Sequence, residues 1–184
     1  VIAALPKVKS DVEVVINSGG GDVSAASEIY TALKEYEGHV TVKIVGVAAS
    51  AASVIAMAGD TVLMAPPALL MIHNASTYVG RGDRTAFGHT MEVLKTVDEA
   101  IANAYRAKTG KTQEDLLALM DKETWFNAEK AISEGFADDI LSFEKDEESQ
   151  YVASQGTFLH EEAIEKLEAL LDAEPANPQN PFEN

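Results

Sequence analysis

Runs of apolar and β-branched residues alternate along the chain with segments in which apolar residues recur every three or four positions. The apolar runs predict short, mostly buried strands at residues 11–17, 40–45, 61–65, 68–73 and 140–143. The periodic segments predict helices at residues 24–36, 50–59, 84–108, 113–120 and 127–134. Strands that alternate with helices in this way are typical of an α/β domain whose strands pair in parallel.

The longest of these helices, residues 84–108, exceeds what a small α/β core usually needs. Its apolar positions form one stripe, made of Met91, Leu94, Val97, Ile101 and Tyr105. Such a stripe fits two arrangements equally well: the helix covers the sheet, or it packs against a partner subunit. The pattern alone leaves both open.

The composition changes after residue 143. An acidic, polar linker at residues 145–150 is followed by helical periodicity at residues 161–171 and then by three prolines, which interrupt regular structure. With 184 residues, the chain is long enough for one domain and a tail. We therefore divide it into a compact domain, residues 1–143, and an acidic linker, tail helix and proline-rich disordered end, residues 144–184.

The net charge of −16 argues against two classes of partner, because duplex nucleic acid and anionic membrane surfaces repel an acidic protein. The chain has no cysteine, which rules out disulfides and thiolate chemistry, and its four histidines lack the spacing of metal ligands. No apolar run reaches the roughly 18 residues of a membrane helix. We therefore expect a cytoplasmic protein without a metal or other cofactor. Because the chain begins at Val1 rather than methionine, we also expect a processed or truncated product.

Residues 46–53, which follow the second predicted strand, have almost only small side chains. Small residues allow the backbone to turn sharply from a strand into a helix, and Ser50 lies where the next helix is predicted to begin. A hydroxyl at that place meets unpaired backbone N–H groups and the positive end of the helix dipole, which suits a nucleophile. The alternative is that Ser50 is simply an N-cap, a role that serine often fills.

A serine nucleophile requires a base to take its proton and N–H donors to hold the oxyanion that forms. His73 is the candidate base, because it ends a predicted buried strand and active sites of α/β folds gather at the rim of the sheet. The alternative is a half-buried histidine that is only hydrogen-bonded. The other histidines, His39, His89 and His160, lie in a polar turn, the long helix and the acidic tail, where we expect solvated side chains.

The candidate oxyanion donors are the backbone N–H groups of Gly21 and Ala51. Residues 19–21 are consecutive glycines after the first strand, and such a run permits positive φ angles with N–H groups facing outward. A phosphate-binding loop is the competing interpretation. That loop would need the lysine of a P-loop or the spacing of a dinucleotide-binding motif, and Asp22 would repel a phosphate.

Four motifs in this order closely resemble the proteolytic subunit of the Clp protease. They are Ile16-Asn17-Ser18-Gly19-Gly20-Gly21, Gly46-Val47-Ala48-Ala49-Ser50-Ala51-Ala52, Met71-Ile72-His73 and the segment at residues 128–138. The resemblance covers residues 11–143. It implies the Clp/crotonase fold, with repeated β-β-α units, a parallel sheet covered by helices and a long protruding handle helix, here residues 84–108. In relatives this handle interlocks two rings, so the resemblance favours assembly as its role.

The same resemblance implies a serine endopeptidase that hydrolyses peptide bonds of proteins inside an oligomeric chamber. Its nucleophile corresponds to Ser50, its general base to His73, and its oxyanion hole to the backbones of Gly21 and Ala51. Its substrate is expected to bind as an added strand.

That added strand would lie beside the segment from Gly20 to Asp22. The implied partners are a polypeptide substrate and further copies of the chain in a ring. An ATP-dependent unfoldase or phage capsid proteins are possible additional partners.

Two positions depart from the family pattern. Gly19 stands where the family usually has proline, which should loosen the turn. Glu123 stands where the family has the aspartate of its triad, and the extra methylene moves the carboxylate. Asp121 is the neighbouring alternative for the third member. Together with residues 123–126, the acidic tail resembles the Clp-related proteases of phages and prophages.

Two other functions remain as alternatives. A crotonase-type acyl-CoA enzyme would share the fold, but it does not need Ser50 and His73 together, and the sequence offers no basic surface for coenzyme A. A non-catalytic scaffold or inactive ring subunit would use Ser50 only as a cap. The presence of both the serine and the histidine argues against that interpretation.

Overall fold

The computed structural model describes residues 2–7 and 9–143. The predicted linker, tail helix and proline-rich end therefore lie outside the described residues, and so does His160. The division of the chain at residue 143 stays a prediction. None of the helices within the described residues is long and apolar enough to cross a membrane.

The described part of the chain alternates strands and helices, as the hydrophobic pattern predicts. A short 3-10 helix at Ile2–Ala4 precedes them. The strands are β1 (Val12–Ser18), β2 (Val40–Ala49), β3 (Thr61–Met64), β4 (Leu69–Ile72), β5 (Thr124–Asn127) and β6 (Asp139–Ile140). The helices are α1 (Val23–Lys34), α2 (Ala51–Ala56), α3 (Arg84–Thr109), α4 (Gln113–Met120) and α5 (Ala128–Ser133). The predicted α/β class is confirmed.

Strand β2 is the centre of the sheet, whose order is β5-β4-β2-β3-β6 with β1 also paired to β2. The first half of β2 pairs in parallel with β3, and its second half pairs in parallel with β4. Strand β1 follows β2 along its other edge, also in parallel. The exception to parallel pairing is β5, which runs antiparallel to β4. The carboxyl ends of β1, β2 and β4 consequently point to the same edge of the sheet.

The predicted end of β2 at residue 45 is wrong, because the strand continues to Ala49. A Cβ atom at Gly46 would lie 2.4 Å from Asn17 Oδ1, and that same oxygen accepts a hydrogen bond from Val47 N at 3.1 Å. The side chain of Asn17, on β1, therefore fills the space that a side chain at residue 46 would occupy. The small residues allow β2 to pass this point and pair with β4, and the sharp turn is confined to Ser50.

The core lies between the sheet and helices α2, α3 and α5. Ile44, Met64 and Ile72 on the strands are fully buried. Phe136 packs its ring against Tyr105 of α3 and Phe126 of β5, at centroid distances of 5.9 and 4.9 Å. Burial of such large apolar side chains contributes about 2 kcal/mol each, so these contacts fix where α3 and β5 lie on the sheet.

Helix α3 has two different halves. Asp83 caps its start by accepting hydrogen bonds from two backbone N–H groups, and Gly110 ends it in the left-handed region, at φ 70°. Ile101 and Tyr105 of the predicted stripe are buried, whereas Met91 is 69% exposed. The second half of the helix therefore covers the core, and the first half carries apolar residues in contact with solvent.

Strand β5 was not expected from the sequence, which predicts a connection between α4 and α5 there. It forms because Phe126 enters the core, 1% exposed, while the neighbouring Trp125 stays 50% exposed. Four residues are too few for the alternating pattern to identify a strand. The pairing of β5 with β4 nevertheless brings residue 123 to the edge of the sheet where β4 ends.

Glu134, at the end of α5, provides a test of the electrostatics of the fold. Lys111 Nζ lies 2.5 Å from its carboxylate and Lys130 binds the other oxygen, and these hydrogen bonds lower the pKa of the Glu134 carboxyl to about 2. We predict that Glu134→Gln lowers the free energy of unfolding at neutral pH by about 1 kcal/mol, as for a favourable surface ion pair.

Because the folded-state pKa lies below the ordinary value of 4.5, the stabilisation is complete above about pH 5 and is lost as the pH falls toward 2. Urea unfolding at several pH values measures the difference, with Glu28→Gln on the exposed surface of α1 as control. A difference of unchanged size near pH 2 would contradict the assignment.

Candidate active site

Ser50 occupies the sharp turn between β2 and α2. Its backbone lies at φ 56° and ψ −127°, a region that costs a residue with a side chain about 1–3 kcal/mol. Its N–H donates to Met71 O at 3.0 Å. Although Ser50 stands at the N-cap position of α2, its hydroxyl makes no cap hydrogen bond to the helix. The interpretation of Ser50 as a simple cap is therefore wrong.

The hydroxyl of Ser50 instead faces His73. His73 Nε2 lies 2.8 Å from Ser50 Oγ. The pairing of Ala49 with Met71 explains this contact, since it places the residues that follow both strands side by side. The imidazole is 28% exposed, so most of it is covered by protein and a minor part is accessible to solvent.

The glycine loop after β1 approaches the same turn. A Cβ atom at Gly20 would lie 2.7 Å from Ser50 Cβ and 2.8 Å from Ala49 O, and the φ angle there is 106°. Only glycine permits both that backbone conformation and that close approach. The loop therefore rests directly on the turn that carries Ser50.

The two predicted oxyanion donors lie beside the hydroxyl. Gly21 and Ala51 line one cavity of about 50 Å³ together with Ser50 and His73. Within residues 2–7 and 9–143, the N–H groups of Gly21 and Ala51 donate to no other protein group. Both are thus available to an oxygen atom placed in the cavity.

A larger groove of about 570 Å³ adjoins this cavity. It is lined by the start of α1, by the segment after β4 and by the first half of α3. Gly21, Val23 and Ala75 line both spaces, so the groove and the cavity share a wall. Asp22 also lines the groove, but its carboxylate accepts from Ala25 N at 2.8 Å and caps α1. His89 lies along the same groove and is exposed, whereas His39 binds Thr61 away from the site.

Glu123 is the nearer of the two predicted acids to the imidazole. Ile72 pairs with Thr124, so the residue before β5 lies beside the residue after β4. Glu123 Oε2 lies 3.8 Å from His73 Nδ1, and the side chain is 59% exposed. This separation is longer than a hydrogen bond. Asp121 instead accepts a hydrogen bond from Asn74 Nδ2 at 2.7 Å.

A third carboxylate, Asp98 of α3, was not identified from the sequence. Its Oδ1 accepts from Ala75 N at 2.6 Å, which ties the segment after His73 to the helix. Burial raises the pKa of Asp98, as does the charge of Asp121, while the Ala75 bond and His73 act in the opposite direction. The sequence did contain a signal for Asp98. It lies one turn after Leu94 and three residues before Ile101, so a carboxylate stands on the apolar side of an amphipathic helix.

An α/β domain with a serine hydroxyl in contact with an imidazole, and free N–H donors beside it, has the construction of a serine hydrolase. The sequence profile of a family described as Clp protease matches residues 2–144. The chain belongs to the Clp protease family. It is accordingly a serine-type endopeptidase of that family, as the resemblance of its motifs predicts.

Individual relatives agree with this assignment. The ATP-dependent Clp protease proteolytic subunit of Streptococcus gordonii is 30% identical over 139 residues, which are 72% of this chain and 69% of that protein. Proteolytic subunit 1 of Chlamydia abortus is 34% identical over 133 residues, 69% of this chain and 68% of the relative. Proteolytic subunit 2 of Rhodococcus jostii is 31% identical over 134 residues, with coverages of 72% and 68%. The likeness to phage and prophage enzymes stays a prediction.

The glycine loop generates a test of the site geometry. We predict that Gly20→Ala lowers the rate at which a fluorophosphonate labels the protein by at least about tenfold, because the new Cβ displaces the turn of Ser50 and strains the loop. Gly19→Ala is the matched control, since a Cβ at Gly19 meets nothing within 4 Å. Labelling of Gly20→Ala at the parental rate, with thermal unfolding unchanged, would contradict this geometry.

Proposed function

We propose that Ser50, His73 and Glu123 form the triad of this peptidase, with the N–H groups of Gly21 and Ala51 as its oxyanion hole. The observation that carries the proposal is the 2.8 Å contact between His73 Nε2 and Ser50 Oγ. It is supported by the cavity that all four neighbouring groups line, Ser50, His73, Gly21 and Ala51.

The reaction begins with His73 neutral and its proton on Nδ1, so that Nε2 can accept. Ser50 Oγ attacks the carbonyl carbon of the peptide bond while its proton moves to His73 Nε2. The carbonyl oxygen becomes an oxyanion and receives hydrogen bonds from Gly21 N and Ala51 N. These donors are fixed by the glycine loop and by the start of α2, so they need little reorganisation as the charge develops.

The tetrahedral species collapses when the bond from carbon to nitrogen breaks. His73 Nε2 returns its proton to the leaving amine, and the remaining acyl group is an ester of Ser50. A water molecule then attacks this ester while His73 takes one of its protons. Return of that proton to Ser50 Oγ releases the carboxylic acid and restores the enzyme.

The role of Glu123 is to orient the imidazole and to stabilise its protonated form. The separation of 3.8 Å is short enough that a rotamer change of this exposed side chain brings Oε2 within hydrogen-bond distance of Nδ1. Trp125 Nε1 donates to the other oxygen of Glu123, Oε1, at 3.3 Å, so Oε2 is the oxygen that faces the imidazole. Asp121 is less suited to this role, because Asn74 engages its carboxylate and, among the described residues, no ion pair joins it to His73.

The substrate is an extended polypeptide that lies in the groove beside the cavity. An extended chain next to Gly20 and Asp22 can form backbone hydrogen bonds with the loop, in the manner of an added strand. The far wall of the groove includes Val93, Leu94 and Val97 of α3, which favours apolar side chains of the substrate.

The protein acts, in this proposal, as a cytoplasmic ring of identical subunits. Exposed apolar residues in the first half of α3, Phe87 and Met91, favour burial against another copy. The relatives are named as proteolytic subunits of an ATP-dependent protease, which supports an ATP-dependent unfoldase as the partner that delivers substrates. Phage capsid proteins are the other partner class that the sequence suggests.

The triad is tested by fluorophosphonate labelling and by turnover of a fluorogenic peptide. Ser50→Ala should abolish both, and His73→Ala should reduce both by at least about 1,000-fold, because the unactivated hydroxyl is a weak nucleophile. Glu123→Gln should reduce kcat/KM by about 100-fold, since the imidazole loses its orienting carboxylate. Asp121→Asn should change kcat/KM by less than about threefold.

Turnover of the peptide by Ser50→Ala would contradict the proposed nucleophile. A larger loss in Asp121→Asn than in Glu123→Gln would transfer the orienting role to Asp121. Hydrolysis of a coenzyme A thioester that survives in Ser50→Ala would instead favour the acyl-CoA interpretation.

Assembly has its own test, in size-exclusion chromatography with light scattering. We predict a particle several times the chain mass of 19.6 kDa, and a smaller particle for Met91→Glu, because a charge at a buried contact is costly. Asn103→Glu, on the exposed side of the second half of α3, is the matched control. A parental protein that stays monomeric would contradict the ring.

A further inference from the structure

Two buried hydroxyl groups lie directly beneath the turn of Ser50. Ser53 of α2 is 0% exposed and Tyr105 of α3 is 1% exposed. Ser53 Oγ lies 2.6 Å from the carbonyl oxygen of Ser50 and 2.8 Å from the hydroxyl of Tyr105. The mechanism described above uses neither hydroxyl, so their arrangement against the nucleophile needs another explanation.

The direction of these hydrogen bonds follows from the chemistry of the groups. A carbonyl oxygen can only accept, so Ser53 Oγ–H donates to Ser50 O. Ser53 has no second proton, and Tyr105 O–H must therefore donate to Ser53 Oγ. Burial raises the pKa of Tyr105, so the phenol keeps its proton at neutral pH. The hydrogen bonds thus run in one direction, from Tyr105 through Ser53 to the carbonyl of Ser50.

The carbonyl of Ser50 belongs to the same peptide group as the N–H of Ala51. A trans peptide is planar, so its C=O and N–H point in opposite directions and cannot be turned independently. The Ser50 oxygen also accepts from Ser53 N at 2.9 Å. Fixing this oxygen from below therefore fixes the direction in which Ala51 N–H points into the cavity above.

We propose that Tyr105 and Ser53 are positioning residues for the oxyanion hole, which hold and polarise the peptide between Ser50 and Ala51. The inference deepens the proposed function and rests on it, since it takes Ser50 as the nucleophile and Ala51 N–H as an oxyanion donor. Hydrogen bonds in series strengthen one another in a buried site, so donation to the carbonyl makes the N–H a better donor.

The strained backbone of Ser50 gives these contacts a second role. A positive φ at a residue with a side chain persists only where the surroundings enforce it. The N–H of Ser50 is held by Met71 O, and its carbonyl is held by Ser53. Tyr105, which comes from the long helix 52 residues further along the chain, locks Ser53 in the rotamer that makes this bond.

Tyr105→Phe tests the inference with the smallest change, because the ring and its packing against Phe136 are kept. We expect kcat for peptide hydrolysis to fall about tenfold with KM changed less than about twofold, since the oxyanion forms only in the transition state. The inhibition constant of a peptide aldehyde, whose adduct carries the same oxyanion, should rise by the same factor. Tyr30→Phe, at a half-buried tyrosine of α1, is the matched control and should behave as the parent.

Ser53 is tested through the same measurements. Ser53→Ala should lose at least as much kcat as Tyr105→Phe, and the double variant should lose no more than Ser53→Ala alone, because both residues act through one bond. Ser53→Thr keeps the hydroxyl and should restore most of kcat. Thermal unfolding of each variant distinguishes loss of the fold from loss of function. If Ser53→Ala is unfolded, Tyr105→Phe alone tests the inference.

Parental kcat and aldehyde affinity in Tyr105→Phe would overturn the inference, as would losses that add fully in the double variant. A rise in KM without a fall in kcat would also overturn it. The Ser50→Ala variant distinguishes failure of this inference from failure of the proposed function. If Ser50→Ala is inactive while Tyr105→Phe equals the parent, the inference alone fails. If Ser50→Ala retains turnover, the proposed function fails as well.

Discussion

The hydrogen bond from Ser50 N to Met71 O, at 3.0 Å, is the contact on which the site depends. It extends the pairing of β2 with β4 by one residue beyond the sheet and holds Ser50 in a backbone conformation that it would not otherwise adopt. Because β4 ends at Ile72, one residue after Met71, the next residue, His73, arrives beside the hydroxyl. The proposed nucleophile and its proposed base therefore lie together because of one strand pairing, and the sheet holds the strained backbone of Ser50.

The other components reach Ser50 from separate parts of the chain. The glycine loop comes from the end of β1 and touches the turn at Gly20. Glu123 is the residue before β5, and it reaches this edge because β5 runs antiparallel to β4. Helix α3 contributes Asp98 to the segment after His73 and Tyr105 to the base of the turn. Helix α3 therefore has an exposed first half and a second half that supports the site. Burial of the first half in an assembly would act on the same helix that contacts the segment after His73 and the turn of Ser50.

The sequence was sufficient to expect that the proposed site residues at strand ends lie close together. Ser50, His73 and the glycine loop follow three parallel strands, and the carboxyl ends of such strands meet at one edge. It was insufficient for contacts that depend on tertiary packing. Strand β5 is too short for its pattern to be recognised, and the partnership of Ser53 with Tyr105 joins residues that no local pattern relates. The small residues after Val45 were interpreted as a turn because the sequence does not show that Asn17 fills the space beside Gly46.

A crystal structure of the protein with a peptide aldehyde would test the central claim most directly, because the adduct reports the nucleophile and the oxyanion donors together. The account predicts a covalent bond from Ser50 Oγ to the aldehyde carbon. It also predicts that the adduct oxygen lies about 3 Å from both Gly21 N and Ala51 N. An adduct on another residue, or an adduct oxygen that faces away from these two groups, would contradict it.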